Sequence, residues 1–365
     1  MTRTLLRNLV LVFVPLLVAV PEASADCSNQ FSSTIVKYWE YVGELPPVSE
    51  RNETSESLCD ISTVGTRRIC TVRLWGTLHM PRHGSAAATA SGKYPTLIFN
   101  HGSEHIFGAK GKYCEAARFF VPKGYAVFVP FRRGQGDPDR PEGSRQSSGR
   151  YIEDVLDDFD NNPSHHHTTC TFRDCYKAEL LQLEADDEVA FAAQYLIETA
   201  HLVPLLGDGE YKLAVGGNSY GGAVTVFFNR MNHGQAVAMP FAPGAQNWGD
   251  VDFAYAAQSW DLSRNPSTLL GTLLTAASHA KTPAFYLQAK WDYDTRATID
   301  LAYAHAYSSS DPAHGNRFVA SIFPYKKFLF EDGTVDYQSA HEGFAKATGE
   351  WGRSVLAFLR LYGVR

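Results

Sequence analysis

One serine of this 365-residue chain stands in a segment that can turn a hydroxyl group into a nucleophile. Ser219 lies in GNSYGG (217–222), after an apolar run that predicts a strand and before a pattern that predicts a helix. A sharp strand-to-helix turn needs small residues around the nucleophile, and it exposes the hydroxyl above the sheet. We therefore predict that Ser219 attacks the carbonyl carbon of an acyl group.

A serine hydroxyl needs a base to take its proton, and the base needs an acid to orient it. His341 follows the last predicted strand, and Asp292 follows the predicted strand at 284–288. Asp294 is in the same loop and also qualifies, although Asp292 is nearer the strand and should be held more rigidly. Either aspartate could instead cap the next helix. The chain order predicts a triad of Ser219, Asp292 and His341.

The same reaction needs N–H donors for the developing oxyanion, usually from the residue after the nucleophile and from the loop after an earlier strand. The first donor would be the amide of Tyr220. The second would be that of Ser103, because Gly102 lets this loop approach a substrate, with Glu104 as the next choice. His101 suits the orientation of this loop better than the role of a base.

Five short segments stand in order along about residues 70–365. They are NHGS (100–103), FRRGQG (131–136), GNSYGG (217–222), DYD (292–294) and HEGF (341–344). Their order and spacing resemble the dienelactone-hydrolase-like branch of the α/β hydrolases. The resemblance implies an α/β-hydrolase fold and a hydrolase that needs no cofactor.

The nucleophile departs from the pattern of that branch. Dienelactone hydrolases proper carry cysteine where this chain has Ser219, so the resemblance implies a serine carboxylesterase with a small-molecule ester substrate. The Ser-Tyr-Gly-Gly sequence is also similar to that of prolyl oligopeptidases, which makes a serine peptidase or amidase the first alternative. A non-catalytic binding protein on the same fold is the second alternative.

The elements that must position these residues alternate along the chain. Apolar runs predict strands at 70–79, 96–100, 125–131, 212–215, 236–241, 284–288 and 318–323. Amphipathic patterns predict helices at 112–123, 178–201, 220–232 and 342–361. This alternation predicts a doubly wound, mostly parallel sheet covered on both faces. Two segments interrupt it, 137–176 and 248–281, and we expect cap-like insertions over the carboxyl edge of the sheet.

The N-terminus has the pattern of an export signal. Two arginines precede an apolar run at 9–20, and ASA at 23–25 fits a cleavage site. We expect cleavage after Ala25 and a secreted or periplasmic protein. The mature chain would have no membrane span, because the run is shorter than the roughly 20 residues that a span requires. Residues 26–69 are polar and lack sustained periodicity, which predicts an irregular N-terminal extension.

Export makes disulfides the expected state of the six cysteines. Proximity in sequence favours two pairs and leaves a third: Cys59–Cys70, Cys170–Cys175 and Cys27–Cys114. The histidine run at 165–167 stands near two of these cysteines. Adjacent histidines point in different directions, however, and we expect no metal site there.

Composition limits the classes of partner. The formal net charge is −6 and basic residues are scattered, so the electrostatic attraction that nucleic acid binding requires is missing. The content of 44% hydrophobic and 20% charged residues is that of a globular domain.

Arg132 and Arg133 could bind an acidic substrate. Hydrogen bonds that hold a loop are the favoured interpretation of such a pair.

Overall fold

The computed structural model describes residues 31–44, 59–102, 114–136, 146–161, 173–207, 209–243, 268–290, 292, 297–309, 318–323, 341 and 343–365. The strands are β1 (Phe31–Glu44), β2 (Asp60–Val64), β3 (Arg67–Pro81), β4 (Thr96–Asn100), β5 (Ala126–Pro130), β6 (Leu205–Gly207), β7 (Glu210–Tyr211), β8 (Leu213–Asn218), β9 (Val237–Phe241), β10 (Ala284–Ala289) and β11 (Phe318–Phe323). The α-helices are α1 (Glu115–Phe120), α2 (Ile152–Asn161), α3 (Arg173–Leu183), α4 (Ala190–Gln194), α5 (Tyr220–Phe228), α6 (Thr268–Ser278), α7 (Ala297–Ser309), α8 (Gly343–Lys346) and α9 (Thr348–Leu361). Two π-helical stretches, Glu184–Val189 and Tyr195–Thr199, continue α3 and α4, and a 3-10 turn (Val121–Lys123) continues α1.

The central sheet has the strand order β1-β3-β5-β4-β8-β9-β10-β11, with β2 beside β3. The neighbours from β5 to β11 pair in parallel, whereas β3 is antiparallel to β1, β2 and β5. The carboxyl ends of the parallel strands therefore lie along one edge. This mixed, mostly parallel sheet, with a serine turn directly after β8, is the α/β-hydrolase fold that the sequence predicts.

Helices cover both faces of the sheet, and the side chains of each strand alternate between them. Ile98 of β4 packs in a cluster that includes Val224 of α5. Its neighbours Leu97 and Phe99 pack in a second cluster that includes Trp351 of α9. Because both faces are covered, β4, β5, β9 and β10 are buried along their whole length. The site at their carboxyl ends therefore stands on a rigid base.

The prediction of an irregular extension over 26–69 is wrong for two segments of it. Phe31–Glu44 forms β1, which pairs with β3 from Phe31 opposite Pro81 to Glu44 opposite Ile69, and Asp60–Val64 forms β2. β1 lies at the sheet edge and is only partly buried: Tyr38 is buried, but Val42 is 58% exposed. Half of its residues are apolar, but they do not alternate regularly with polar ones, and the register of the pairing shifts between Lys37 and Trp39, so no sustained period of two marks the strand.

The two segments predicted as insertions are only partly described. Residues 152–161 form α2, where Phe159 stacks on Tyr176 with 4.7 Å between ring centroids, and residues 268–278 form α6, which packs on α5 and α7. These parts belong to the helical layer that covers the sheet. Residues 137–145, 162–172 and 248–267 of these segments lie outside the described residues.

The predicted Cys59–Cys70 disulfide is confirmed, and it joins the residue before β2 to β3. Cys114 and Cys175 are also disulfide-bonded, while their predicted partners, Cys27 and Cys170, lie outside the described residues. The predicted signal peptide and the histidine run at 165–167 lie outside them too. Within the part of the chain that the structure describes, no helix has the length and apolar character needed to cross a membrane.

Candidate active site

Ser219 occupies the sharp turn between β8 and α5, and its backbone is strained. Its φ is 59° and its ψ is −118°, and residues other than glycine rarely adopt a positive φ of this kind. The turn is held to the neighbouring strand, because the Ser219 amide donates to the carbonyl of Phe241 at 2.9 Å. Strain that the surrounding structure enforces in this way is typical of a functional residue.

Three glycines around Ser219 allow the backbones of three elements to meet. A Cβ atom added at Gly221 would collide with the carbonyl of Asn100, and one at Gly217 would collide with the carbonyl of Gly221. One added at Gly222 would lie 2.5 Å from the carbonyl oxygen of Phe241. The glycines of GNSYGG are therefore required by close backbone approach to β4 and β9, which gives a physical reason for the motif.

The structure brings together the serine, histidine and aspartate that the sequence singles out. His341 Nε2 lies 2.7 Å from Ser219 Oγ, and His341 Nδ1 lies 2.9 Å from each carboxylate oxygen of Asp292. An ionised carboxylate only accepts hydrogen bonds, so Nδ1 carries the proton and Nε2 accepts from the serine hydroxyl. All three side chains are buried. The arrangement can move the serine proton to the imidazole, as a nucleophile and its base require.

Asp292 is fixed by the end of β10. Its amide donates to the carbonyl of Ala289 at 3.1 Å, which makes a tight turn directly after the strand. The short distance from the strand was the reason for preferring Asp292 to Asp294 in the sequence. Asp294 lies outside the described residues.

The predicted oxyanion donors are only partly described. Tyr220 is the first residue of α5, and the free backbone amides at a helix N-terminus can bind negative charge. Ser103 and Glu104 lie outside the described residues. His101, two residues before Ser103, is buried, and its ring nitrogen Nδ1 lies 3.0 Å from the carbonyl oxygen of Gly102. His101 thus contacts its own loop, as its predicted orienting role requires.

The sequence did not reveal a cluster of buried charges next to Tyr220. Arg132, which follows β5, donates through Nε to Glu184 Oε1 at 3.0 Å and through Nη2 to the carbonyl of His101. The other oxygen of Glu184 accepts from the Tyr220 hydroxyl at 2.9 Å. Arg132 therefore bonds to a carboxylate and a carbonyl, as expected for a residue that holds a loop.

Arg133 forms the second half of this cluster. Its Nη2 lies 2.8 Å from Asp187 Oδ2, and its Nε lies 2.9 Å from Glu188 Oε1. The cluster thus contains two guanidinium groups, of Arg132 and Arg133, and three carboxyl groups, of Glu184, Asp187 and Glu188. Burial raises the pKa of Glu188 well above its ordinary value of 4.5, an effect that Arg133 opposes and the neighbouring carboxylates Glu184 and Asp187 reinforce.

The carboxyl groups of the cluster come from the π-helical stretch Glu184–Val189. The amphipathic pattern of 178–201 predicts acidic residues away from its apolar side, yet Glu184 and Glu188 are buried. Their burial is tolerated because Arg132 and Arg133 supply opposite charge from a loop about 50 residues earlier. π-Helical turns are frequent at functional sites, but no local sequence signal marks this one.

Comparison with protein families and with curated proteins finds no match for the chain. Among solved structures, the chain is similar to a protein assigned as a dienelactone hydrolase from Klebsiella pneumoniae, with 16% identity over 88% of this chain and 99% of that one and a TM-score of 0.44. An esterase from Pyrococcus furiosus matches with 13% identity over 87% and 99%, and a TM-score of 0.42. A puromycin-hydrolysing peptidase from Mycobacterium tuberculosis matches with 17% identity over 84% of this chain but 40% of that one, and a TM-score of 0.45. At these identities and TM-scores, the matches carry no inference about the reaction of this chain.

Proposed function

We propose that this protein is an exported serine hydrolase that cleaves carboxylic ester bonds through an acyl-enzyme intermediate. The observation that carries the proposal is the continuous hydrogen-bonded chain from the Ser219 hydroxyl through His341 to Asp292. It stands at a strained turn that presents the hydroxyl at the carboxyl edge of the sheet, where α/β proteins bind ligands.

The first half of the reaction acylates the serine. His341 Nε2 takes the proton as Ser219 Oγ attacks the carbonyl carbon of the ester, and Asp292 stabilises the imidazolium that forms. The amides of Tyr220 and Ser103 would donate to the oxyanion. When the bond to the alkoxy oxygen breaks, the electron pair of that bond leaves with the alcohol, to which His341 returns the proton.

The second half hydrolyses the acyl-enzyme. His341 takes a proton from water, and the resulting hydroxide oxygen attacks the acyl carbon bound to Ser219 Oγ. The bond between that carbon and Oγ then breaks, His341 protonates Oγ, and the carboxylic acid departs. One ester and one water give one acid and one alcohol, and every proton transfer uses the same nitrogen of His341.

The ester preference rests on the motif resemblance, in which Ser219 replaces the cysteine of dienelactone hydrolases. Its rival is an amide substrate. A panel of p-nitrophenyl esters and aminoacyl p-nitroanilides separates the two, since we expect ester turnover to exceed anilide turnover. The opposite order would favour the peptidase.

The proposed export has two supports. The first is the apolar run at 9–20 followed by ASA at 23–25, which is the pattern of a cleaved signal. The second is the Cys59–Cys70 disulfide, because disulfides persist mainly in oxidising compartments outside the cytosol. The N-terminal sequence of the protein purified from the exporting cell tests the cleavage after Ala25.

Covalent labelling by a fluorophosphonate tests the catalytic proposal. We expect the reagent to modify Ser219, with peptide mass spectrometry locating the adduct, and Ser219→Ala to abolish the labelling. Ser33→Ala is the matched control, because Ser33 is also buried and its hydroxyl lies 2.7 Å from a ring nitrogen of His79. Labelling that survives in Ser219→Ala, or that is absent from the folded wild type, would contradict the proposal.

A further inference from the structure

The guanidinium group of Arg132 contacts Tyr220, after β8, and the backbone of His101, after the neighbouring strand β4. Through Nη2 it donates to the carbonyl of His101, in the loop that leads to Ser103. It also lies over the ring of Tyr220, with 3.8 Å from the guanidinium carbon to the ring centroid. Tyr220 supplies the amide that follows the nucleophile, so one side chain links the source of that donor to the backbone at the start of the loop after β4.

Glu184 completes this arrangement. One of its oxygens accepts from Arg132 Nε at 3.0 Å, and the other accepts from the Tyr220 hydroxyl at 2.9 Å. The ring of Tyr220 is therefore held from its face by Arg132 and from its hydroxyl end by Glu184. A movement of the aromatic ring would have to break a hydrogen bond, a cation–π contact or both.

The geometry of a guanidinium group suits this role. It offers five donors in a rigid plane, so it can bind a carboxylate and a carbonyl while its face contacts an aromatic ring. Lysine offers a single ammonium group on a flexible stem and cannot make all three contacts at once. Arg132 is only 3% exposed, and burying a charge costs free energy unless its partners are well placed.

We infer that Arg132 is a positioning residue that fixes Tyr220 against the backbone of His101, and so holds the Tyr220 amide where an oxyanion can accept its hydrogen bond. The inference rests on the proposed function. Donors must lie 2.7–3.1 Å from the oxyanion, and displacements of about 1 Å reduce catalysis by roughly two orders of magnitude. Arg132 would thus affect the rate through the position of the Tyr220 amide, without touching the substrate.

The test compares Arg132→Lys with Arg133→Lys. Arg133 is its neighbour in sequence, is also buried and charged, and pairs with Asp187 and Glu188. The quantity to measure is the second-order rate constant for fluorophosphonate labelling of Ser219 as a function of pH. We expect Arg132→Lys to lower the plateau by about ten- to a hundredfold and Arg133→Lys to change it by less than about threefold.

The pH profile separates positioning of the oxyanion donors from damage to the triad. The hydrogen bonds among Ser219, His341 and Asp292 do not involve Arg132, so the apparent pKa of the profile should stay where the wild type has it. Equal plateaus for the two lysine variants, or a displaced apparent pKa in Arg132→Lys, would overturn the inference. A wild type that is not labelled at Ser219 would overturn the proposed function instead.

Tyr220→Phe keeps the test decisive if Arg132→Lys does not fold. This substitution removes the hydroxyl bond to Glu184 but leaves the ring, the buried charges and the backbone amide. We expect a several-fold lower labelling rate at an unchanged melting temperature. If both variants fold, the double variant should lose less than the product of the two single losses, because both act on Glu184. An unchanged rate in Tyr220→Phe, or independent effects in the double variant, would contradict the inference.

Discussion

The serine turn at 217–222 contains Tyr220, and the charged cluster of Arg132, Arg133, Glu184, Asp187 and Glu188 contacts it, yet the two regions are built in opposite ways. The turn consists of six consecutive residues, and its geometry comes from backbones that only glycine allows to approach. The cluster joins a loop after β5 to a helix about 50 residues later, and its geometry comes from paired charges removed from water. A site can thus combine a part determined by local steric limits with a part determined by long-range electrostatics.

The two regions should also fail in different ways. A change at a glycine of the turn alters the positions of atoms, so its effect on stability should be similar at every pH at which the protein folds. A change in the cluster alters the balance of buried charge, so its effect on stability should depend on pH. The following substitutions test this difference.

The largest effect is expected on the triad side. Asp292→Asn should lower kcat by about 10⁴-fold, because an amide in place of the carboxylate favours the wrong imidazole tautomer and cannot stabilise the imidazolium. The measurement is steady-state turnover of the best p-nitrophenyl substrate. Asp294→Asn is the control from the same loop, and its kcat should fall less than tenfold. A larger loss in Asp294→Asn would transfer the acid role to Asp294.

The next effect is steric. Gly221→Ala should lower the free energy of unfolding by about 3 kcal/mol, because its Cβ would collide with the carbonyl of Asn100 in β4, which cannot move without disturbing the sheet. Gly271→Ala is the matched control, since Gly271 is an exposed glycine of α6 with no atom within 4 Å of the added carbon. Urea denaturation should show that variant to be about 0.5–1 kcal/mol more stable. Equal stability of the two variants would mean that the turn is not sterically limited.

The same contrast explains how much the sequence could predict. The alternation of strands and helices could be predicted because buried parallel strands are apolar along their length. The serine turn could be predicted because its glycines and its serine lie within six consecutive residues. Asp292 could be preferred to Asp294 from its distance to β10 alone, and the structure holds Asp292 against His341.

Structural features that depend on residues distant in the chain could not be predicted from the local sequence. β1 lacks a regular alternation of apolar and polar residues and is partly exposed, and it is ordered by pairing with β3. The sequence pattern places Glu184, Asp186 and Asp187 away from the apolar side of the helix predicted at 178–201, and nothing near them in the sequence indicates that Arg132 and Arg133 pair with Glu184 and Asp187. In both cases the stabilising partner lies between about 25 and 55 residues away in the chain.

The smallest effect is expected in the cluster and depends on pH. Because the pKa of Glu188 is raised in the folded protein, the unfolded chain loses this proton first as the pH rises above the ordinary value of 4.5. The folded state is then progressively disfavoured until the pH passes the raised pKa. Glu188→Gln keeps the shape and removes this titration, so between pH 5 and 8 the variant should gain about 1 kcal/mol relative to the wild type.

Melting temperatures of both proteins across that range measure the difference. Asp186→Asn is the control on the same π-helical stretch, because Asp186 pairs with Arg230 at 2.6 Å and its side chain is 35% exposed. A partly solvated pair of this kind contributes about 0–1 kcal/mol, so this variant should follow the wild type across the pH range. If Glu188→Gln and the wild type instead lose stability in parallel as the pH rises, the charge of Glu188 is compensated in the folded state. The stability of the cluster, like that of the turn, would then depend on packing and not on the balance of buried charge.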